Sequence, residues 1–199
     1  MKFWTLVLAS AITAILGCAV GGTRVTDTNN SLHTNHYEWV VPPERGWNLR
    51  ELREPAPSLV LTDNLQLGPN KIEFRIRVAE NGIVAEALRR QSAKFIADDF
   101  RRYNRNVMVE EGVKTGQYTL SEVEMGEIEV GGKTFWTMKY RINQQGLLNH
   151  ATMFLYFPKP SNNEHFLVIL YSEAGPSNTV WTSKHKDDLM RILESVKAR

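Results

Sequence analysis

Two short apolar runs near the C-terminus constrain the fold more than any other feature of this sequence. Residues 151–157 and 165–171 consist mostly of Phe, Leu, Met, Val, Ile and Tyr, and the segment PKPSNN lies between them. Runs of this length with apolar side chains at consecutive positions are typical of strands that are covered on both faces. A sheet that contains such strands needs a cover on each side, which predicts a layered α+β domain.

Four further segments are predicted to be strands. Residues 71–78 alternate between apolar and charged side chains, which is typical of a strand with one buried face. Residues 58–62 form a short apolar segment close to turn residues, and residues 107–113 and 118–130 are the remaining candidates. Together with the two apolar runs, these segments predict a mainly antiparallel sheet.

Gly131-Gly132 is predicted to be the tight turn of a hairpin, because glycine adopts the positive φ angles that two-residue turns require. This turn fixes the register of the strands on either side. The predicted pairs join opposite charges or two apolar residues: Glu124 with Lys139, Glu122 with Arg141, Val123 with Tyr140 and Met125 with Met138. Each such pair contributes about 0.2 to 1 kcal/mol. A β-bulge at Gly126 is the alternative, and it would shift the register.

Two segments have the apolar periodicity of helices that pack on a sheet. The first runs from about Val84 to Tyr103, with apolar residues at helical spacing along one side. The second runs from Ser183 to Ala198, with acidic residues near its start and basic residues near its end, as the helix dipole prefers. Its apolar side contains Leu189, Ile192, Leu193 and Val196. Because the sheet needs two covers, we expect the two helices on opposite faces.

The order of these elements is strand, long helix, several antiparallel strands and a final helix. Over residues 45–199 this order resembles the Mog1/PsbP-like α/β/α sandwich, and the segment ILESV at residues 192–196 looks like the last helix of that family. A cystatin-like or NTF2-like curved sheet is the alternative fold. The resemblance implies a binding or accessory role, although analogy between folds does not by itself assign a function.

The N-terminal segment has the pattern of a secretory signal. Lys2 is followed by residues 3–16, an uncharged and mostly apolar stretch. This stretch is as long as the core of a signal peptide and shorter than the roughly 20 apolar residues of a membrane-spanning helix. We therefore expect residues 1–17 to be a signal peptide. An uncleaved membrane anchor is the alternative.

The last two residues of this core and the two that follow it are Ile15-Leu16-Gly17-Cys18, and they resemble the lipobox of bacterial lipoproteins. The resemblance implies cleavage before Cys18 and attachment of membrane lipid to its sulfur, which anchors the chain durably when several acyl chains are present. Ala19 stands where an aspartate commonly retains lipoproteins in the inner membrane. The outer membrane, with the protein facing the periplasm, is therefore favoured. An incidental cysteine in an ordinary signal peptide is the alternative.

The residues after Cys18 predict a tether and then a single folded domain. Residues 21–35 are rich in Gly, Thr, Asn and Ser and contain little apolar surface to bury, which is typical of a flexible segment. We expect residues 18–38 to be the lipidated N-terminus and tether, and residues 39–199 to be the globular domain. This tether would hold the domain away from the membrane.

Bulk composition and motifs argue against several classes of function. The chain has 24 basic and 22 acidic residues, so its charge balance gives no case for nucleic acid as a partner. Its single cysteine is Cys18, and no Gly-x-Ser-x-Gly nucleophile motif or phosphate-binding glycine loop is present. His33 and His36 have a spacing that could chelate a metal ion, but the three or four ligands of a zinc site are not found around them. We therefore expect no cofactor and a non-enzymatic binding or accessory module. An envelope enzyme whose site is assembled from scattered polar residues is the alternative.

The first predicted helix carries a basic stripe. Viewed along the helix axis, its four members lie within about 60° of one another: Arg90, Lys94, Arg101 and Arg105. Such a stripe is suited to bind an anionic envelope component or an acidic protein. The alternative is a solvated surface with internal ion pairs, since Asp98 precedes Arg102 by four residues.

The lipobox resemblance predicts the result of one substitution. Cys18→Ser removes the sulfur that would carry the lipid, so acylation and cleavage at this site should be abolished. Mass spectrometry of the protein recovered from membranes measures both. An unmodified Cys18 in cleaved native protein would show that the chain is not a lipoprotein.

Overall fold

A computed structural model of the protein describes residues 23–33, 37–52, 58–62, 71–78, 91–144, 146–158, 165–176 and 185–199. The predicted signal peptide, Cys18 and Arg90 lie outside these ranges. Within them, the secondary structure comprises strands β1 (Thr23–Arg24), β2 (Ser31–His33), β3 (Tyr37–Val40), β4 (Asn48–Leu52), β5 (Ser58–Thr62), β6 (Lys71–Val78), β7 (Thr119–Val130), β8 (Lys133–Gln144), β9 (Leu147–Tyr156), β10 (His165–Pro176) and β11 (Lys197–Ala198), a 3-10 helix at Pro43–Arg45, and helices α1 (Ala93–Thr115) and α2 (Lys186–Ser195).

Eight of these strands form one sheet in the order β1-β4-β5-β6-β10-β9-β8-β7, and every neighbouring pair is antiparallel. The other three form a small sheet with β3 between β2 and β11. The predicted strands at 58–62 and 71–78 are confirmed, and the predicted strand at 118–130 begins one residue later, at Thr119. The two apolar runs lie in β9 and β10, which are adjacent inside the large sheet.

Both faces of the large sheet are covered, as the apolar runs predicted. In β10, Leu167, Ile169 and Tyr171 belong to the core shared with α2. The alternate residues Phe166, Val168 and Leu170 belong to the core shared with α1. Because successive side chains of a strand point to opposite faces, the two helices cover opposite faces of the sheet. The α/β/α arrangement is therefore the one observed.

The predicted flexible tether at residues 21–35 is wrong for residues 23–33. β1 pairs with β4 and β2 pairs with β3, and the side chains of Val25 and Leu32 are buried. The polar residues between them form a turn, in which the Asn29 side chain accepts a hydrogen bond from the Thr26 backbone N–H and donates one to the Arg24 carbonyl. Asn and Thr are common both in turns and in flexible segments, so composition did not distinguish the two.

α1 is capped at both ends. Its first residue follows Ser92, whose hydroxyl accepts a hydrogen bond from the Phe95 backbone N–H at 3.2 Å. Its last residue precedes Gly116, which has a φ of 64° in the left-handed region. The prediction of one helix over residues 84–103 is wrong at residues 91 and 92, which are not helical.

The predicted strand at residues 107–113 is also wrong, because these residues form the C-terminal part of α1. The valines in this segment suggested a strand, but its buried positions have helical spacing. Buried residues recur at every fourth position and therefore share the side of α1 that faces the sheet: Phe100, Asn104, Met108 and Gly112. Burial of this side against the sheet outweighs the weak strand preference of valine.

The hairpin between β7 and β8 turns at Gly131-Gly132, which have φ angles of 56° and 72°. The predicted pairs of Glu124 with Lys139 and Met125 with Met138 are confirmed. The register then shifts at a bulge between Ser121 and Glu124, so Ser121 lies opposite Arg141 and the predicted strand pairing of Val123 with Tyr140 is wrong. The predicted charge pair still forms, because the Glu122 carboxylate makes an ion pair with the Arg141 guanidinium. The bulge lies there and not at Gly126, and Glu122 adopts a positive φ of 51° within it.

The closing helix is shorter than predicted, since α2 covers Lys186–Ser195 and is followed by β11. Its buried residues Leu189, Ile192 and Leu193 join a core that also contains Trp39 and Trp47. These two tryptophans have side chains that are 1% and 0% exposed. The small sheet and the segment after it therefore share one core with α2 and the large sheet.

Gly112 lies where α1 passes close to the chain before β7. A Cβ added at Gly112 would come within 2.9 Å of the Tyr118 carbonyl oxygen, and the Tyr118 hydroxyl donates a hydrogen bond to the Met108 carbonyl at 2.7 Å. The backbone at Tyr118 cannot move away without loosening this contact. Glycine is therefore required here for space, although it lowers helix propensity.

Gly112→Ala should lower the free energy of unfolding by about 1 to 3 kcal/mol, because the added methyl group overpacks this contact. At an exposed helix position the same change would stabilise the protein by about 1 kcal/mol. Urea denaturation measures the difference, with Val113→Ala as the control because Val113 is the next residue of α1 and is 81% exposed. An increase in stability on Gly112→Ala would contradict the close approach.

Candidate functional site

The outer face of α1, formed by Phe95, Arg102, Val109 and Val113, carries large apolar side chains in solvent. Phe95 is 52% exposed, Val109 is 40% exposed and Val113 is 81% exposed. At 100° per residue, the four members of this face lie within about 40° of one another around the helix. They line a helix of 23 residues, which is roughly 34 Å long. The face points away from the sheet that the opposite side of α1 covers.

Charged residues of opposite sign border this face on its two sides. Lys94 and Arg105 form a basic rim about 60 to 80° from the centre of the face, and Asp99 and Glu110 form an acidic rim at a similar angle on the other side. All four side chains are exposed. The surface is therefore a stripe between a cationic edge and an anionic edge, in which the three exposed apolar side chains share the face with Arg102 and the exposed Asn106. Asp98, which is paired with Arg101, lies between the stripe and the cationic edge.

The basic stripe predicted from the sequence is only partly present in this surface. Lys94 and Arg105 are exposed as expected, whereas the Arg101 side chain is buried, with a residue exposure of 4%. The inclusion of Arg101 was wrong, because the spacing of cations along a helix does not reveal which of them face the sheet. The contribution of Arg90 stays a prediction, since this residue lies outside the described ranges.

Arg101 instead attaches α1 to the hairpin of β7 and β8. One terminal nitrogen of its guanidinium donates hydrogen bonds to the carbonyl oxygens of Gly126 and Thr137, each at 2.7 Å. The other terminal nitrogen forms an ion pair with Asp98, one turn earlier in the helix. A buried cation is tolerated only when such partners replace its water, so these contacts fix how α1 is rotated against the sheet.

A second group of polar side chains lies on the other side of the sheet, on β8, β9 and β10 and at the start of α2. Its members are Arg141, His150, Glu173, His185 and Asp188, which we call the polar row. Arg141 donates a hydrogen bond from Nε to His150 Nδ1 at 3.2 Å, and His150 lies opposite Glu173 in the strand pairing. Glu173 accepts hydrogen bonds from the Tyr171 hydroxyl and, at 3.3 Å, from the His185 backbone N–H. His185 Nδ1 lies 3.5 Å from an Asp188 carboxylate oxygen.

The electrostatics of the polar row keep His150 neutral. Burial lowers the pKa of His150, and the Arg141 guanidinium lowers it further, while Glu122 and Glu173 act in the opposite direction. A hydrogen bond from Arg141 to Nδ1 also requires this nitrogen to be unprotonated. The resulting neutral imidazole lets the sheet bury a histidine beside a cation.

The polar row contains residue types that are suited to acid/base catalysis, but four of its five side chains are buried. His150, Glu173, His185 and Asp188 are between 1% and 8% exposed. Side chains this buried hold the elements around them together through hydrogen bonds and do not meet a dissolved substrate. Sequence reasoning did not single out Glu173 or Asp188; the signal available for Glu173 was a carboxylate two residues after the apolar run of β10.

The residues that the structure describes contain no group of three or more His, Cys, Asp or Glu side chains arranged to hold a metal ion. None of their helices has the combination of length and apolar composition that crossing a membrane requires.

No family model matches the chain, and no curated protein matches it. Solved structures to which it is similar include a Bacteroides thetaiotaomicron protein, at 9% identity and a TM-score of 0.47, with 82% of this chain and 45% of that protein covered. The chain thus spans less than half of that protein. A cyanobacterial PsbP from Synechocystis has 13% identity and a TM-score of 0.45, with 92% and 96% covered. LpqN, involved in cell envelope biogenesis in Mycobacterium tuberculosis, has 12% identity and a TM-score of 0.40, with 89% and 90% covered. Similarities at this level assign the chain to no family.

The different environments of Arg101 and Arg105 predict different effects of the same substitution. Arg101→Met should lower the free energy of unfolding by about 2 to 4 kcal/mol, because it removes the donor for two sheet carbonyls and for Asp98. Arg105→Met, at an exposed position one turn later, should change it by no more than about 0.5 kcal/mol. Denaturant unfolding of both variants tests this, and equal effects would mean that Arg101 does not hold α1 to the sheet.

Proposed function

We propose that this chain is a lipid-anchored protein of the cell envelope, held in the membrane through acylated Cys18, and that its folded domain is a non-enzymatic binding module. In this proposal the outer face of α1 binds a protein partner. The anchor and the binding face rest on separate observations, so each is supported and tested separately.

The anchor is supported by the signal-like residues 1–17 and by the lipobox resemblance that ends at Cys18. Thr23, the first residue of β1, is only five positions beyond Cys18. Five extended residues span at most roughly 18 Å, so an acylated Cys18 would keep the β1 edge of the large sheet close to the membrane. The proposed module is thus held against the membrane instead of standing away on a long tether. Ala19 supports the outer membrane, with the domain in the periplasm.

The binding face is supported above all by the exposure of Phe95, Val109 and Val113 along one side of α1. These are three of the six large apolar side chains that are exposed among the described residues. Single exposed apolar residues are ordinary on protein surfaces, but three on one helix face, with Val109 and Val113 one turn apart, are typical of a surface that binds another molecule. Removing such a row from water contributes about 25 cal/mol for each Å² of apolar area buried.

The rims of the face support a protein partner over an anionic membrane surface. Lys94 and Arg105 would attract phosphate headgroups, as the sequence prediction of an anionic partner supposed. Asp99 and Glu110 border the same face and would be repelled by those headgroups. A protein can present acidic residues to one rim and basic residues to the other, whereas a uniformly anionic surface cannot.

A photocrosslinking side chain at position 109, in the full chain in intact cells, tests the binding face. We expect a discrete crosslinked protein product that disappears when Val113→Asp is added. Lys186→Asp on α2 is the matched control, since it places the same charge at an exposed position on the other side of the sheet. Crosslinks to lipid alone would support an anionic membrane surface and overturn the protein-partner proposal, as would a protein product unaffected by Val113→Asp.

A further inference from the structure

We propose that the partner bound by the outer face of α1 is a second copy of this chain, with the two α1 helices packed side by side in parallel. This inference rests on the proposed function of that face as a binding surface and names its occupant. The observation that supports it is the opposite charge of the basic rim and the acidic rim, which makes one rim complementary to the other.

A parallel pair related by a two-fold axis along the helices places each rim opposite the other rim of the second copy. The basic rim of one copy then faces the acidic rim of its partner. Along the sequence, Lys94 precedes Asp99 by five residues, and Arg105 precedes Glu110 by five residues. This is the offset at which charged residues meet across parallel paired helices, where rim pairs set partner and orientation.

The two rim pairs also lie at equivalent positions around the helix. Arg105 follows Lys94 by eleven residues, and Glu110 follows Asp99 by eleven. Eleven residues are about three turns of a straight α-helix, so both pairs keep the same position relative to the apolar stripe. A symmetric dimer would therefore form four rim pairs, two on each side of the stripe.

An antiparallel pair does not fit the same surface. The two-fold axis of an antiparallel pair lies across the helices and places each rim opposite its own counterpart. Lys94 and Arg105 would then face cations, and Asp99 and Glu110 would face acids, which is destabilising. The charge pattern therefore selects the parallel arrangement.

The centre of the face sets the strength of the pair. Phe95, Val109 and Val113 lie close to the proposed two-fold axis, so each meets its own counterpart and is removed from water. Arg102 lies between Phe95 and Val109 on the same face. A charged residue at such a central position specifies register and orientation at a cost in stability.

Contact through one helix face also buries little area. Stable interfaces between proteins bury roughly 1,200 Å² or more in total, and a single pair of helices of this length lies at or below that range. We therefore expect weak association in dilute solution. Anchoring both copies in one membrane raises their effective concentration, so the pair should be favoured at the membrane.

The test uses the full, acylated chain in intact cells, with one cysteine introduced on α1. Val113→Cys places equivalent thiols near the two-fold axis, so mild oxidation should give a disulfide-linked dimer. Mass spectrometry of the linked peptides identifies both halves as this chain. Lys186→Cys is the control, because it is exposed on α2 and should give at most a trace of dimer.

Charge reversal in the Val113→Cys background tests the rim pairs. Arg105→Glu and Glu110→Arg should each reduce the dimer about threefold or more, because each puts like charges across the interface. The chain that carries both substitutions restores complementary rims and should recover the dimer. Recovery also shows that these positions tolerate substitution without unfolding.

Three outcomes would overturn the inference. They are a Val113→Cys dimer no more abundant than the Lys186→Cys dimer, failure of the double reversal to recover, or equal dimer in all charge variants. If Val113→Cys and the photocrosslinker at position 109 both capture a different envelope protein, the proposed binding face stands and only its assignment to a second copy fails. If neither captures any protein, both proposals fail.

Discussion

The Arg101 guanidinium is the contact on which the placement of α1 depends. It donates to carbonyl oxygens on β7 and on β8, at Gly126 and Thr137, and is balanced by Asp98 in its own helix. These directional bonds favour one rotation of α1 about its axis, whereas apolar packing alone tolerates small rotations. With Arg101 turned inward, Phe100 and Met108 are fully buried, and Val113 on the other side of the helix is 81% exposed.

The large sheet is the second constraint on the fold. Because β10 has apolar side chains on both faces, each face of the sheet needs a covering layer. The two covers differ in character. α1 lies over a core of apolar residues fixed by one buried cation, whereas α2 and the small sheet lie over a face that also contains His150 and Glu173. His150 accepts a hydrogen bond from Arg141, and Glu173 accepts hydrogen bonds from the Tyr171 hydroxyl and the His185 backbone N–H. The α2 side is therefore fixed internally by hydrogen bonds, whereas the α1 side presents the exposed side chains of Phe95, Val109 and Val113 outward.

Residue patterns predicted those strands and helices whose buried side can be read from the spacing of their own apolar residues. The alternation over residues 71–78 and the apolar runs in β9 and β10 were enough to predict these strands. The need to cover both faces of the sheet was enough to predict that the two helices lie on opposite faces. The failures have different causes. Residues 107–113 are valine-rich but helical because Met108 and Gly112 pack on the sheet, and residues 23–33 are polar but ordered by a turn and strand pairing. Arg101 was predicted to be an exposed cation. Its hydrogen-bond acceptors are backbone carbonyls of β7 and β8, and a pattern of side chains does not reveal where such carbonyls lie.

The most direct test of this account is the reactivity of single cysteines on the two sides of α1, in a Cys18→Ser chain that has no other thiol. Ala97→Cys probes the side that faces the sheet, where Ala97 is 0% exposed, and Val113→Cys probes the outer face. Maleimide labelling under native conditions should be at least about a hundredfold faster at position 113, because a thiol at position 97 reacts only when the structure opens. Adding Arg101→Met should reduce this difference. Equal labelling rates at the two positions would show that α1 is not held in this rotation, and both the binding face and its proposed partner would then lose their basis.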